Sequence, residues 1–196
     1  MFGWVFESNP VFAGLIQPSR FVWAEAENRA STRSDETGLS FEVIFVEGKV
    51  PTYVKTPPEN LVGATVAYRL TDGRRSLLHV PAIKSISDEL VEAAAQCDCI
   101  FFDGSFWSDD EMARRGVGTR TSLSMGHIPI DGPDGSLARL SHLRARKVYT
   151  HVNNTNPILD EDSPQRRAIE AAGWEVAEDG MDFTLELRGD NPGDNQ

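Results

Sequence analysis

The hydrophobic pattern changes period partway along the chain, and that change is what most restricts the fold. After Gly38, Leu39, Phe41, Val43 and Phe45 alternate with Ser40, Glu42 and Ile44, the period-two signature of a half-buried strand. A second strand is predicted over 62–70, a tight turn at Asp72-Gly73 and a third strand over 76–80, which together read as a hairpin. Beyond this point helical stretches separate the apolar runs. Ser85 or Ser87, with Asp88 and Glu89 in the first turn, caps a helix running to about Gln96, and Cys99-Ile100-Phe101-Phe102 follows as a short apolar strand. A helix over 136–144, with Leu137, Leu140 and Ser141 on one face, feeds a strand over 147–152. Ser163-Pro164 starts a further helix that Gly173 stops, and 174–177 and 182–187 flank Asp179-Gly180 as a closing hairpin. Hairpins followed by alternating strands and helices give a mixed α/β fold, in which ligands favour the loops at strand ends.

Composition narrows the partners. With 196 residues, 40% hydrophobic and 25% charged, the chain can bury one core, and its glycines and prolines are spread as turns along the whole length. One domain is expected over 1–187, with 188–196 read as a disordered tail. A formal charge of −11 repels a phosphate backbone, so no nucleic-acid partner is expected. The longest apolar stretches fall far short of the roughly 20 residues of a membrane helix, so no membrane insertion is expected. The first residues, Met1-Phe2-Gly3-Trp4-Val5, carry no basic n-region or cleavage site, and a cytoplasmic location is favoured. Cys97 and Cys99 read as small buried hydrophobes.

Three polar clusters lie at strand ends. Asp103-Gly104-Ser105-Phe106-Trp107 through Asp110-Glu111-Met112 puts a carboxylate directly after an apolar strand, although Asp-Gly is also an ordinary turn. Ser124-Met125-Gly126-His127 presents one imidazole beside a tight backbone turn. Thr150-His151-Val152-Asn153-Asn154-Thr155-Asn156-Pro157 ends a strand with a histidine and meets three asparagines, which either orient a ligand or form an Asx-rich turn. His142 falls on the polar side of its helix, and His79 sits within a strand as a core or edge residue.

Together these clusters resemble one family. Phe102-Asp103-Gly104-Ser105-Phe106-Trp107 with Asp110-Glu111-Met112 resembles the D-G-[TS]-[FL]-W…D-E-M signature of the coenzyme PQQ synthesis protein B family. Met125-Gly126-His127 resembles its M-G-H, Gly135-Ser136-Leu137 its G-S-[LI], and His151 to Leu159 its H-[IV]-N-N-T-N-P-I-L. The resemblance is dense over 98–187 and thinner over 8–97. It implies a metallo-β-lactamase fold, a four-layer αββα sandwich whose metal site opens between two sheets. It implies His151 as a metal ligand, His127 and Asp103 as catalytic groups at the active-site mouth, and Asn153, Asn154 and Asn156 as substrate-binding residues. It implies a part in pyrroloquinoline quinone (PQQ) biosynthesis, either as an Fe(II)-dependent oxygenase that hydroxylates a tyrosine-derived precursor or as a factor carrying PQQ or its precursor toward the periplasm. PQQ, its tyrosine/glutamate-derived precursor and other proteins of the pathway are the implied partners.

The usual H-x-H-x-D-H metal cluster of this fold occurs nowhere in the 196 residues, nor does the family's cysteine-rich segment. The expectation is therefore a chain corresponding to the C-terminal two thirds of the family, with an incomplete sandwich and open sheet edges and apolar faces around 38–80. Fe(II) or Zn(II) is expected for the complete family, whereas a single His151 without the missing cluster would not hold a metal tightly. A metal-dependent hydrolase and an inactive truncated binding module stand as alternatives. Near Leu78-His79-Val80-Pro81 there is no bridging aspartate of the kind two-metal hydrolases use.

Overall fold

A computed structural model of the chain describes residues 27–50, 62–182 and 184–185. Among them runs one mixed seven-stranded sheet in sequential order, β1 to β7. β1 (Ser31–Arg33), β2 (Ser40–Val46), β3 (Thr65–Thr71) and β4 (Ser76–Val80) pair antiparallel. β4, β5 (Cys99–Asp103), β6 (Arg146–Thr150) and β7 (Trp174–Val176) pair parallel. The change of period seen in the sequence is thus the change from antiparallel to parallel pairing. Parallel neighbours need long crossovers, and these carry α1 (Asp88–Ala95), α2 (Glu111–Arg114), α3 (Ser122–Met125), α4 (Ser136–Leu140) and α5 (Pro164–Ala171).

The predicted punctuation acts as expected at several ends. The Ser87 side chain accepts from Leu90 N–H at α1, and the Ser163 side chain accepts from Arg166 N–H with Pro164 at the first position of α5. In the β3–β4 turn, Asp72 Oδ1 accepts from the N–H groups of Arg74 and Arg75. Helices α1 and α5 bury Leu90, Ala93, Ala94 and Ile169 in one core with Leu78, Val80, Ile100, Phe102, Tyr149, Trp174 and Val176 of the sheet. Tyr149 stacks on Trp174 with centroids 4.0 Å apart, and its hydroxyl meets Ser136 Oγ at 3.0 Å. Cys97 and Cys99 are buried, His142 is exposed, and half-buried His79 lies in β4.

Elsewhere the structure departs from the sequence reading. The helix expected over 136–144 ends at Leu140, because the chain turns to bury Leu143 and Ala145 before β6. The strand expected over 147–152 ends at Thr150, since His151 takes a left-handed φ of 55° that no strand continues. The charged, Ser/Thr-rich stretch 28–37 contains β1, which covers the edge of β2. Within 38–80, the large apolar side chains counted as exposed among the described residues are Val62 and, at 36%, Tyr68. Asp182, Thr184 and Leu185 are not in a strand, and the rest of the expected closing hairpin and the tail lie outside the described residues.

Parallel pairing brings the C-terminal ends of β4, β5, β6 and β7 to one edge. At that edge Asp103 is in register with Thr150, so the residues that follow each strand sit side by side. The crowding is tight at Gly104. A Cβ there would lie 2.9 Å from Tyr149 Cβ, 3.1 Å from the Thr150 oxygen and 3.2 Å from Val152 Cγ2. Gly104→Ala is therefore expected to cost about 1–3 kcal/mol, as overpacking does, read as a lower urea midpoint with an unchanged slope.

Candidate metal centre

Three elements deliver the functional side chains to this edge. Asp103 is the last residue of β5 and is fully buried. His151 follows β6 by one residue. Its left-handed backbone is uncommon for a side chain other than glycine, and such outliers gather at functional sites. His127 follows α3, whose Thr121/Ser124 capping box starts the helix and whose Gly126, at φ 96°, stops it. A hydrogen bond from Ile128 N–H to the Ile83 carbonyl then ties this loop to the segment after β4.

The three side chains named separately from the sequence converge. Ligand atoms of Asp103, His127 and His151 all lie within 4.8 Å of one another, and the two imidazole centroids are 5.3 Å apart. Asp103 accepts four hydrogen bonds: at Oδ2 from His127 Nδ1 at 2.7 Å and Ile83 N–H at 3.2 Å, and at Oδ1 from the Ser105 hydroxyl at 2.6 Å and Ser105 N–H at 3.1 Å. His151 Nδ1 is 3.6 Å from Oδ1. An ionised carboxylate offers about four lone-pair sites, so this one is filled. Burial by itself pushes the Asp103 carboxyl up, but the hydrogen bonds from His127 and Ser105 and the nearby His151 imidazole outweigh it and hold the group below the usual carboxylate range. For His151 the Asp103 carboxylate raises the pKa above the ordinary imidazole value, against the lowering effect of burial. The His151 side chain is 57% exposed and that of His127 16%, so the cluster opens to solvent on the imidazole side.

The amide-rich loop divides in use. Asn156 is buried; its Nδ2 donates to the Gly104 carbonyl at 2.8 Å and its Oδ1 caps the 3₁₀ turn Pro157–Leu159 by accepting from Ile158 N–H. It holds the Asp103–Gly104 turn against the loop. Asn153 and exposed Asn154, with Met112, Arg115 and Thr155, line a hollow of about 650 Å³ that begins two residues beyond His151. Buried Glu111 joins the two loops: its Oε2 accepts from Trp107 N–H at 2.6 Å and its Oε1 accepts from the Thr155 hydroxyl. Ser105, Glu111 and Arg115 were not singled out by the sequence reading. For Ser105 the available signal was its place two residues after a strand-ending aspartate.

Imidazole and carboxylate donors suit zinc and non-haem iron. With the carboxylate saturated by hydrogen bonds, the arrangement would suit a carboxylate standing behind two histidines that hold a metal, fixing their tautomer and raising their basicity. Residues His127 and His151 would hold the ion, and Asp103 would orient them.

A model of the β-lactamase superfamily domain matches residues 4–152. The chain is 42% identical over 151 residues to coenzyme PQQ synthesis protein B of Ruegeria pomeroyi, covering 76% of this chain and 51% of that protein. It is 37% identical over 186 residues to the same protein of Gluconobacter oxydans, covering 91% and 60%. The chain thus spans about half to three fifths of the length of the curated relatives it matches. Among solved structures, Zn(2+)-bound PqqB from Methylobacterium extorquens superposes with a TM-score of 0.74 at 36% identity, over 81% of this chain and 54% of that one. The metallo-β-lactamase fold protein YhfI from Bacillus subtilis, at 12% identity, shares the fold, with a TM-score of 0.58 over 88% of this chain and 60% of that one.

Proposed function

The chain belongs to the β-lactamase superfamily and, within it, to the coenzyme PQQ synthesis protein B family, and on that premise we propose that it serves PQQ biosynthesis through a metal-dependent oxidation of a tyrosine-derived precursor. The observation that carries the reading is the convergence of Asp103, His127 and His151 at the C-terminal edge of the parallel strands. His151, and His127 beside it, hold a divalent metal, and Asp103 keeps both imidazoles oriented. Fe(II) at this place supplies dioxygen activation; the relative solved with Zn(2+) is consistent with a site that takes a divalent ion. Asn153 and Asn154 orient the precursor in the adjoining hollow, where exposed Arg115 offers a cation to its carboxylates.

A bacterial strain lacking its own coenzyme PQQ synthesis protein B provides the test. Expression of this chain is expected to restore PQQ formation, with His151→Ala failing to do so. No PQQ from the wild-type chain would contradict the reading. The two roles implied by the family separate on purified protein. Iron- and dioxygen-dependent product formation marks an oxygenase, whereas saturable binding of the quinone without turnover marks a carrier.

A further inference from the structure

We infer that Ser105 is a positioning residue of this site, whose hydroxyl relays the Asp103 carboxylate to His151 and fixes that imidazole with its proton on Nδ1 and its lone pair on Nε2. The inference rests on the metal-site reading above, which it deepens. Ser105 is 3% exposed, and its Oγ lies 2.6 Å from Asp103 Oδ1, 3.0 Å from His151 Nδ1, 3.1 Å from His127 Nδ1 and 3.1 Å from the His151 carbonyl oxygen. A hydroxyl has one proton to give and two lone pairs with which to accept. The contact with the carboxylate is the shortest and falls in the range of charge-assisted O–H···O bonds, so the proton goes to Asp103. The oxygen is then left as an acceptor.

The two histidines differ in what else they can reach. The Nδ1–H of His127 goes directly to Asp103 Oδ2 at 2.7 Å. For His151 the nearest recorded carboxylate oxygen is 3.6 Å away, beyond hydrogen-bond range, so its Nδ1–H goes to Ser105 Oγ at 3.0 Å. The chain of donors runs from His151 through Ser105 to Asp103. Both imidazoles then keep Nε2 unprotonated for a ligand. Second-shell partners of this kind typically change metal affinity by about 10–100-fold.

The experiment reads imidazole nitrogens by long-range ¹H–¹⁵N NMR on the metal-free full chain, at a pH where both rings are neutral, in wild type, Ser105→Ala and Ser105→Thr. The expected wild-type result is Nδ1–H on His127 and on His151. Ser105→Ala is expected to lose the Nδ1–H form of His151 while leaving His127 unchanged, and Ser105→Thr to restore it. Zn(II) titration of the same samples is expected to show about 10–100-fold weaker binding in Ser105→Ala only. An Nε2–H tautomer for His151 in the wild type overturns the inference even if Ser105→Ala does not fold, as does an unchanged His151 tautomer in a folded Ser105→Ala. Absence of zinc binding by the wild type would sink the metal-site reading, and the tautomer result would still stand or fall by itself.

Discussion

Asp103→Ala is expected to destabilise the chain by about 3–5 kcal/mol, the usual cost of removing one partner from a buried charged network. The carboxylate is fully buried and accepts from His127 Nδ1, Ile83 N–H, Ser105 N–H and the Ser105 hydroxyl, all of which lose an acceptor at once. For a chain of this size that corresponds to a melting temperature lower by roughly 6–20 °C. Asp103→Asn is expected to fall between the two, because its amide keeps one acceptor oxygen but turns an N–H group toward donors. The effect depends on pH in a defined direction. The Asp103 carboxyl lies below its ordinary value in the folded chain, so its stabilisation is complete above the unfolded value of about 3.9 and is lost as pH falls through the folded one. The gap in thermal stability between wild type and Asp103→Ala is therefore expected to widen as pH falls through the raised His151 value, where the imidazolium gains Asp103 as a partner, and to close in acid below about pH 4.

His151→Ala separates function from stability. It removes an imidazole whose side chain is 57% exposed and whose hydrogen bond is to Ser105, so little packing is lost. The retained-metal affinity is expected to fall by at least about 100-fold, above the range for outer-shell partners, since the group removed would touch the ion itself. The backbone supplies a control. At a φ of 55° an alanine pays about 1–2 kcal/mol that glycine does not. His151→Gly should thus melt above His151→Ala while losing metal equally. If both variants keep the wild-type affinity, His151 is not a ligand, whatever their melting temperatures show.

The local signals in the sequence were sufficient wherever one residue decides an element. Ser87, Asp72-Gly73 and Ser163-Pro164 mark their caps and turn because each side chain satisfies backbone groups within a few residues. The signals failed where tertiary packing decides. The loop after β5 contains α2 and α3, each of four residues and too short to display a helical period, and each held by contacts at a distance, such as Ser122 Oγ to Asp109. The ends of α4 and β6 are set by burial of Leu143 and by the left-handed turn at His151. The site follows the same rule. Asp103, His127 and His151 could each be singled out as strand- or helix-ending residues. Their convergence comes from the parallel register of β5 on β6 and from the tie of Ile128 to Ile83, which no sequence spacing shows. Ser105, at the centre of the cluster, is marked in the sequence only by its place after Asp103 and as the [TS] position of the D-G-[TS]-[FL]-W signature.

The central claim, that this edge of the sheet holds a metal, is tested most directly by elemental analysis of the purified chain after anaerobic incubation with Fe(II) and Zn(II) and desalting. The account predicts about one retained equivalent in the wild type, reduced in Asp103→Ala and lost in His151→Ala. No retained metal in the wild type, or equal retention in His151→Ala, would contradict it.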